Sequence, residues 1–597
     1  MGKSDIPPTS SHRNHWLMIR FAAIAAALLL ASVSHAGNAD RVDPSQPALR
    51  CPEDLILSED GQFLLTANRG TGTVSIVDRR QGKISAEWQI GQSIIDLLPL
   101  PYQRILALDG RTNEAILLQQ NGDVLDILSR VELPYSPVKS DVSSDGQQIC
   151  VSCLWARKLV SLSITGDQLK LQRELILPFA PRVVLFVPDG QSILAADNFG
   201  GRLAIVDANT FTVRHTREFP AHNIRAMALS PDGTKLLFAH QLLNSLAVTN
   251  ENDIHWGLVM SNELRWVPLG HVLDPEGDFY GNGFMHPIGE PGKGGGDPTD
   301  IAVIDDLQAV VSMGGTGQVG IGKYEAFGLF RISVEEHPTA VVVSPEKDIV
   351  YVANGFGDSI SLVDIDKAET FGRISLGATR DPQVIEQGER LFHNARLSME
   401  GWMSCHSCHT DGHTNGLSSD NLSDRSYGAP KRILSLLGKA DTAPFGWLAV
   451  SDSLEQQAKN SVKSTMHGRD LTDQQASALA AYMKSLTLPP PIDTLQATRD
   501  KAAVAHGRQI FLQNNCIKCH APPIYTSPEV YDVGMHDKEL NREFNPPSLR
   551  GIGHRDTFFH DGRATSLRDV FEVHGHQLAG ELTNQQMDDL IQFLRSL

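Results

Sequence analysis

The chain has 597 residues, 41% hydrophobic and 20% charged, with a formal net charge of -18 at pH 7. That length exceeds one ordinary hydrophobic core, so two or three domains are expected. The acidic balance argues against nucleic acid or an anionic lipid surface as partner and favours small basic proteins, although it is also common among exported proteins.

Lys3, Arg13 and Arg20 precede an apolar run from Phe21 to Val33, and Ser34-His35-Ala36 supplies small residues where a signal peptidase cuts. Residues 1–36 are therefore expected to be an export signal, leaving a periplasmic or otherwise exported protein. The run is too short to span a bilayer comfortably, and no later segment reads as a membrane span.

Residues 37–378 carry a repeat of roughly 43 residues, a period that signals a propeller or solenoid. The turn "SEDG" at Ser58 recurs as "SSDG", "VPDG", "SPDG" and "SPEK", each followed by a β-branched apolar run. Hairpin-like turns "ANRGTG", "ADNFGG" and "ANGFGD" separate paired strands. The pattern predicts seven four-stranded blades and resembles the YVTN-type β-propellers, cousins of the WD40 array. An insertion at about 255–300, dense in Gly, Pro, His and aromatic residues, breaks the period. It is expected to be either a functional loop or a surface excursion. Cys150 and Cys153 fall on opposite faces of a strand-like run and are expected to be buried, inert thiols.

Past Gly377 the text turns helical, and "DLTDQQASALAAYMKSL" returns as "ELTNQQMDDLIQFLRSL". Met587, Leu590, Ile591 and Leu594 form the apolar stripe of an amphipathic helix. Leu471 and Leu582 are separated by the same interval as Cys405 and Cys516, so the second half is a duplicated all-α module, 379–490 and 491–597, joined through "LTLPPPID". Each copy holds Cys-x-x-Cys-His: Cys405, Cys408, His409 and Cys516, Cys519, His520. Two such thiols can form thioethers to the vinyl groups of one haem while the histidine reaches its iron. Zinc is the competing ligand, but it needs a second ligand pair at finger-like distance. The expected fold is multidomain, an all-β seven-bladed propeller followed by an all-α duplicated cytochrome c-type module with two covalent haem c groups.

"FNPPSLRGIGHRDTFFHDGRATSLRDVF", residues 544–571, resembles the signature of the bacterial di-haem cytochrome c peroxidases and the related methylamine-utilisation enzyme. The resemblance covers about 380–597 and implies a peroxidatic haem, an electron-transfer haem and a tryptophan between them. Trp447 stands in that tryptophan's place, and Gln457 matches the distal glutamine. Ser461 replaces a pocket proline, and His467 replaces the distal glutamate. Peroxide cleavage needs a group that takes and returns a proton. His467 either does so, or binds the iron and closes the site, or is an ordinary surface histidine. The sixth ligand of the second haem falls on His574, with His576 as the alternative. Arg432 stands where the family has a calcium-binding asparagine and Arg555 begins the other calcium run. No family-type calcium is expected, and an Arg432–Asp556 ion pair is a candidate replacement.

The resemblance implies reduction of hydrogen peroxide with electrons from a small donor protein, a cytochrome c or a cupredoxin. A second possibility is oxidation of a protein side chain, with Trp256 and Trp266 as candidates. A third is a non-catalytic electron carrier whose propeller binds a protein partner.

Overall fold

In a computed structural model, which describes residues 1–2, 39–422 and 426–597, strands succeed one another from Asp40 to Ser375 and helices dominate thereafter. The expected export signal lies, but for its first two residues, outside the described residues. Among the described residues no helix is long and apolar enough to cross a membrane.

The strands form seven antiparallel blades. Their innermost strands are Pro52–Leu57, Ile94–Leu100, Pro137–Val142, Pro181–Phe186, His222–Leu229, Pro298–Asp305 and Pro338–Val343. Five begin with proline, and in each of these the pairing register shifts immediately afterwards. Proline has no N–H for the ladder, so it sits at a strand start beside a bulge. The next strand out is almost wholly buried, as in Ser192–Asp197, because neighbouring blades cover both its faces. The first and last innermost strands pack together and close the ring. Thr339 Oγ1 donates across this seam to Pro52 O at 2.8 Å, and Asp358 accepts from the backbone N–H groups of Arg50 and Cys51, both at 2.8 Å. Asp40–Arg41 adds a short fifth strand to the first blade.

The repeated turn has one construction. Ser58, Ser143 and Ser230 donate to the aspartate two residues on, at 2.6, 2.6 and 2.5 Å. The glycine that follows is left-handed, with φ of 66° at Gly61, 71° at Gly146 and 68° at Gly233.

The segment at 255–300 is no excursion from the array. Met260–Pro268 and Phe284–Pro287 are the outer strands of the fifth blade, and the added length lies in loops between them and on either side. Alternation was hidden there by glycine, proline and tryptophan. Trp266 is fully buried in that blade, whereas Trp256 is 58% exposed. Cys150 and Cys153 are free and buried, their thiols pushed upward by burial.

In the helical region Val384–Phe392 packs on Asp473–Ser485, and Lys501–Gln513 packs on Asn584–Arg595. A Cβ on Gly388 would come within 2.0 Å of Ala478 O, and one on Gly507 within 1.9 Å of Asp589 O, so each crossing requires glycine. The near-copies open with matching capping boxes, Thr472 with Gln475 and Thr583 with Gln586. Leu243, Ile254 and Met260 of the fifth blade share one apolar core with Phe392, Met403, Leu454 and Leu479.

Candidate haem centres

Cys405–Cys408 is a single helical turn whose N-cap, Ser404, exchanges a capping-box pair with Ser407. The propeller holds this turn from beneath. Asp297 accepts from the hydroxyls of Ser404 and of Ser407, the latter at 2.7 Å, and His222 Nε2 lies 3.0 Å from Ser407 O. His406 is buried between Asp297 at 3.6 Å and Asp411 at 3.5 Å, its ring 4.6 Å from that of His393. Burial works against its charged form, but hydrogen bonds to Asp297 and Asp411 raise it overall. Trp402 wedges its indole against Gly257 and Gly289 and accepts from Asn262 Nδ2 at 3.1 Å. No spacing rule in the sequence marks His406 for this role.

Asp411 also takes Asn198 Nδ2 at 2.7 Å, Arg225 at 3.2 Å and Arg182 at 3.5 Å. Asp556 of the second helical copy pairs with the propeller's Arg157 at 3.0 Å and Arg202 at 2.8 Å. Burial raises both carboxyls, yet the arginines outweigh it and hold both below the usual carboxylate range. Such groups contribute stability that is present above the unfolded value, about 4, and is lost as pH falls through the lowered values. Protection factors across 401–416 and 554–557, corrected for intrinsic exchange, are therefore expected to fall below about pH 4. Protection there that stays constant to pH 2 would contradict this.

Above the turn lies a cavity of about 260 Å³, lined by Cys405, Cys408 and His409 at one end, by Trp447, and by Asn545 to Ser548 at the other. His409 is held neutral, its value lowered to about 4 by burial, with Nδ1 unpartnered. Trp447 Nε1 donates to Arg432 O at 2.7 Å, and Trp447 O accepts from Asn545 N at 2.8 Å, so the indole is fixed between the two helical copies. His560 stacks on Phe544 at 4.2 Å and meets Trp447 edge-on at 6.3 Å.

In the second copy Cys516 and Cys519 flank a short turn, and His520 Nδ1 lies 3.2 Å from Tyr525 O. A proton on Nδ1 leaves Nε2 free to bind metal, the usual outer support of a ligating imidazole. His520 is lowered to about 4, by burial first and then by the field of His576. His574 and His576 both meet the ring of Phe559 edge-on at 5.4 Å, and the buried Nδ1 of His576 has no partner. The residues fit haem at both motifs: paired cysteines, a neutral histidine one residue on, and unpartnered imidazole nitrogens.

Residues 382–487 match the family described as di-haem cytochrome c peroxidase, and 504–597 match that described as cytochrome c. The C-terminal region is a di-haem cytochrome c peroxidase-type module. It makes the chain an oxidoreductase of the peroxidase type. The methylamine utilization protein MauG of Methylophilus methylotrophus is 25% identical over 286 residues, 36% of this chain and 84% of that one. Cytochrome c551 peroxidase of Nitrosomonas europaea is 22% identical over 302 residues, 40% of this chain and 90% of that one. Among solved structures, hydrazine synthase of Kuenenia stuttgartiensis aligns with a TM-score of 0.48 at 17% identity, covering 56% of this chain and 98% of that one.

Within the peroxidase module the expected distal residues separate. Gln457 lines the cavity, its Nε2 donating to Ser461 Oγ at 3.2 Å and its buried Oε1 unpartnered. His467 does not line it: its Nε2 lies 2.7 Å from Thr249 O of the propeller. The cause is local. After Leu454–Asn460 the helix widens to a π turn over Ser461–Thr465, with Met466 N donating to Ser461 O at 3.0 Å. That turn brings Thr465 and Met466 to the cavity, and His467, left-handed at φ 49°, swings outward.

The expected Arg432–Asp556 pair is also absent, because Asp556 faces the propeller arginines while Arg432 Nε donates to Phe559 O at 3.0 Å. His413 is buried, with Nδ1 2.9 Å from Ser435 Oγ and Nε2 3.2 Å from His554 O.

Proposed function

We propose that this chain is an exported di-haem peroxidase that binds haem covalently at Cys405/Cys408 and at Cys516/Cys519, with His409 and His520 as proximal ligands. Haem held at the two motifs would supply the redox chemistry for converting hydrogen peroxide, with two electrons and two protons, to two molecules of water. A small cytochrome or cupredoxin would be the electron source, and Trp447 would stand between the two sites. The observation that carries this reading is Trp447, whose indole donates to Arg432 O of its own copy, whose backbone carbonyl accepts from Asn545 N of the second copy, and which lines the cavity at His409.

Haem, when bound, supplies the redox-active iron. The chain's own residues supply orientation. Ser461 fixes the Gln457 amide so that its free carbonyl accepts from a hydrogen-bonding oxidant. Neither residue ionises near neutral pH, so the protons come from solvent, and a titrating side chain's contribution of about 10²–10⁴-fold is not drawn upon. His467→Ala is accordingly expected to change the rate of peroxide reaction by less than about tenfold. A larger loss would restore His467 as the acid/base. The candidate further ligands at the second centre are His574 and His576, the latter with an unpartnered buried Nδ1.

Met466, which lines the same cavity, favours a second reading in which its sulfur closes the first iron and the module only carries electrons. Absorption and EPR spectra of the purified protein separate the two. A high-spin or cyanide-binding haem in either oxidation state supports the peroxidase; two low-spin haems that refuse cyanide in both states support the carrier.

A further inference from the structure

Arg432 and Arg555 are buried, 3% and 8% exposed, and among the described residues neither has a carboxylate partner. Arg432 uses its backbone N–H on His560 O at 2.6 Å and Nε on Phe559 O. Arg555 gives Nη2 to Ser548 O at 2.9 Å, and its buried Nε has no partner. Lys439 Nζ stands nearby, 3.4 Å from Ser548 O and 3.3 Å from Arg550 O. All three line the cavity that holds Cys405, Cys408 and His409. The other buried arginine among the described residues, Arg50, is neutralised by Glu87. Here burial, with the neighbouring Arg555 charge, lowers Arg432 to about 9, and burial lowers Arg555 to about 10. Unpaired buried cations are costly unless an anion completes the site.

We propose that Arg432, Arg555 and Lys439 are the seat of the two propionate carboxylates of the haem held at Cys405 and Cys408, an assignment that rests on haem attachment at that motif. The planar guanidinium fork matches a carboxylate, and two propionates balance the two permanent charges. The guanidinium carbon of Arg432 lies 5.4 Å from the ring of Trp447, so the seat sets the charge at the indole between the two centres. Cations beside a haem disfavour its ferric state, so the seat raises the potential of the first centre.

The test is redox-difference infrared spectroscopy of the full-length holoprotein carrying haem with 13C-labelled propionates, with spectroelectrochemical titration of each centre. In the wild type the labelled carboxylate bands are expected to remain ionised and ion-paired from pH 5 to 9, with a first-centre potential independent of pH over that range. Arg432→Gln and Arg555→Gln are each expected to lower that potential and bring a propionate titration into the range, while Arg432→Lys retains the wild-type behaviour. Propionate bands that titrate in the wild type overturn the proposal, as does an unmoved potential in both glutamine variants. Displacement of the wild-type bands by added inorganic phosphate does so too, since the seat would then belong to a free anion. If a variant loads no haem, the wild-type bands alone decide. Absence of haem mass on the 401–416 peptide would overturn attachment and this assignment together, whereas attached haem with titrating propionates would overturn only the latter.

Discussion

Trp447→Phe is expected to slow steady-state peroxide turnover by about 100-fold, equal to roughly 2.7 kcal/mol of barrier, while both haems remain bound. Phenylalanine keeps an apolar ring in the cavity, so packing changes little. It removes the Nε1–H that donates to Arg432 O and the most readily oxidised ring between the two centres. The loss should fall on one step. Stopped-flow reduction of the second centre by the donor should proceed at the wild-type rate, and transfer onward to the first should be slow. An effect below about threefold on that second phase would mean that electrons reach the first centre without the indole.

Asp297→Ala is expected to destabilise the protein by about 3–5 kcal/mol, the range for removing one partner of a buried charged network. The carboxylate accepts from Ser404 and Ser407 and faces His406, so its loss leaves two buried hydroxyls unsatisfied and a buried imidazole short of its counter-charge. His406 contributes stability that is present below its unfolded value, about 6.5, and is lost as pH rises through its raised folded value. Without Asp297 that contribution shrinks, so the deficit in thermal midpoint should be larger at pH 6 than at pH 9. A deficit of the same size at both values would show that only the hydroxyl contacts matter.

The repeat and the duplication were legible because each is a local pattern written several times. Ser-x-Asp-Gly turns, proline-led inner strands and paired capping boxes all depend on residues a few positions apart. The two Cys-x-x-Cys-His motifs were legible for the same reason. What sequence reasoning missed depends on contacts between distant segments. The loops around the fifth blade's outer strands are so rich in glycine and proline that they masked the strands, which are revealed by Met260–Pro268 pairing with Lys235–Leu243 and Phe284–Pro287 pairing with Met260–Pro268 in turn. His467 was placed by counting from Gln457, and the π turn at Ser461–Thr465 shifts that count. Arg432 and Asp556 were paired because both stand at positions where the resembled family holds a calcium, and nothing in the text announces that Arg157 and Arg202 from two propeller blades meet Asp556 first. The glycines of "GEPGKGGGDPTD" were the available signal for the interface. A Cβ at Gly294 would come within 2.4 Å of Trp402 N, a fit that only a bare backbone allows.

The seating of the Cys405–Cys408 turn on the propeller also bears on the order of assembly. Both cysteines are half-buried and line the cavity, while Asp297 and His222 hold the turn through Ser404 and Ser407 from the propeller side. If haem is joined to these cysteines as proposed, attachment to an accessible pentapeptide would precede the docking of this turn on the blades, so that docking would report a loaded first centre.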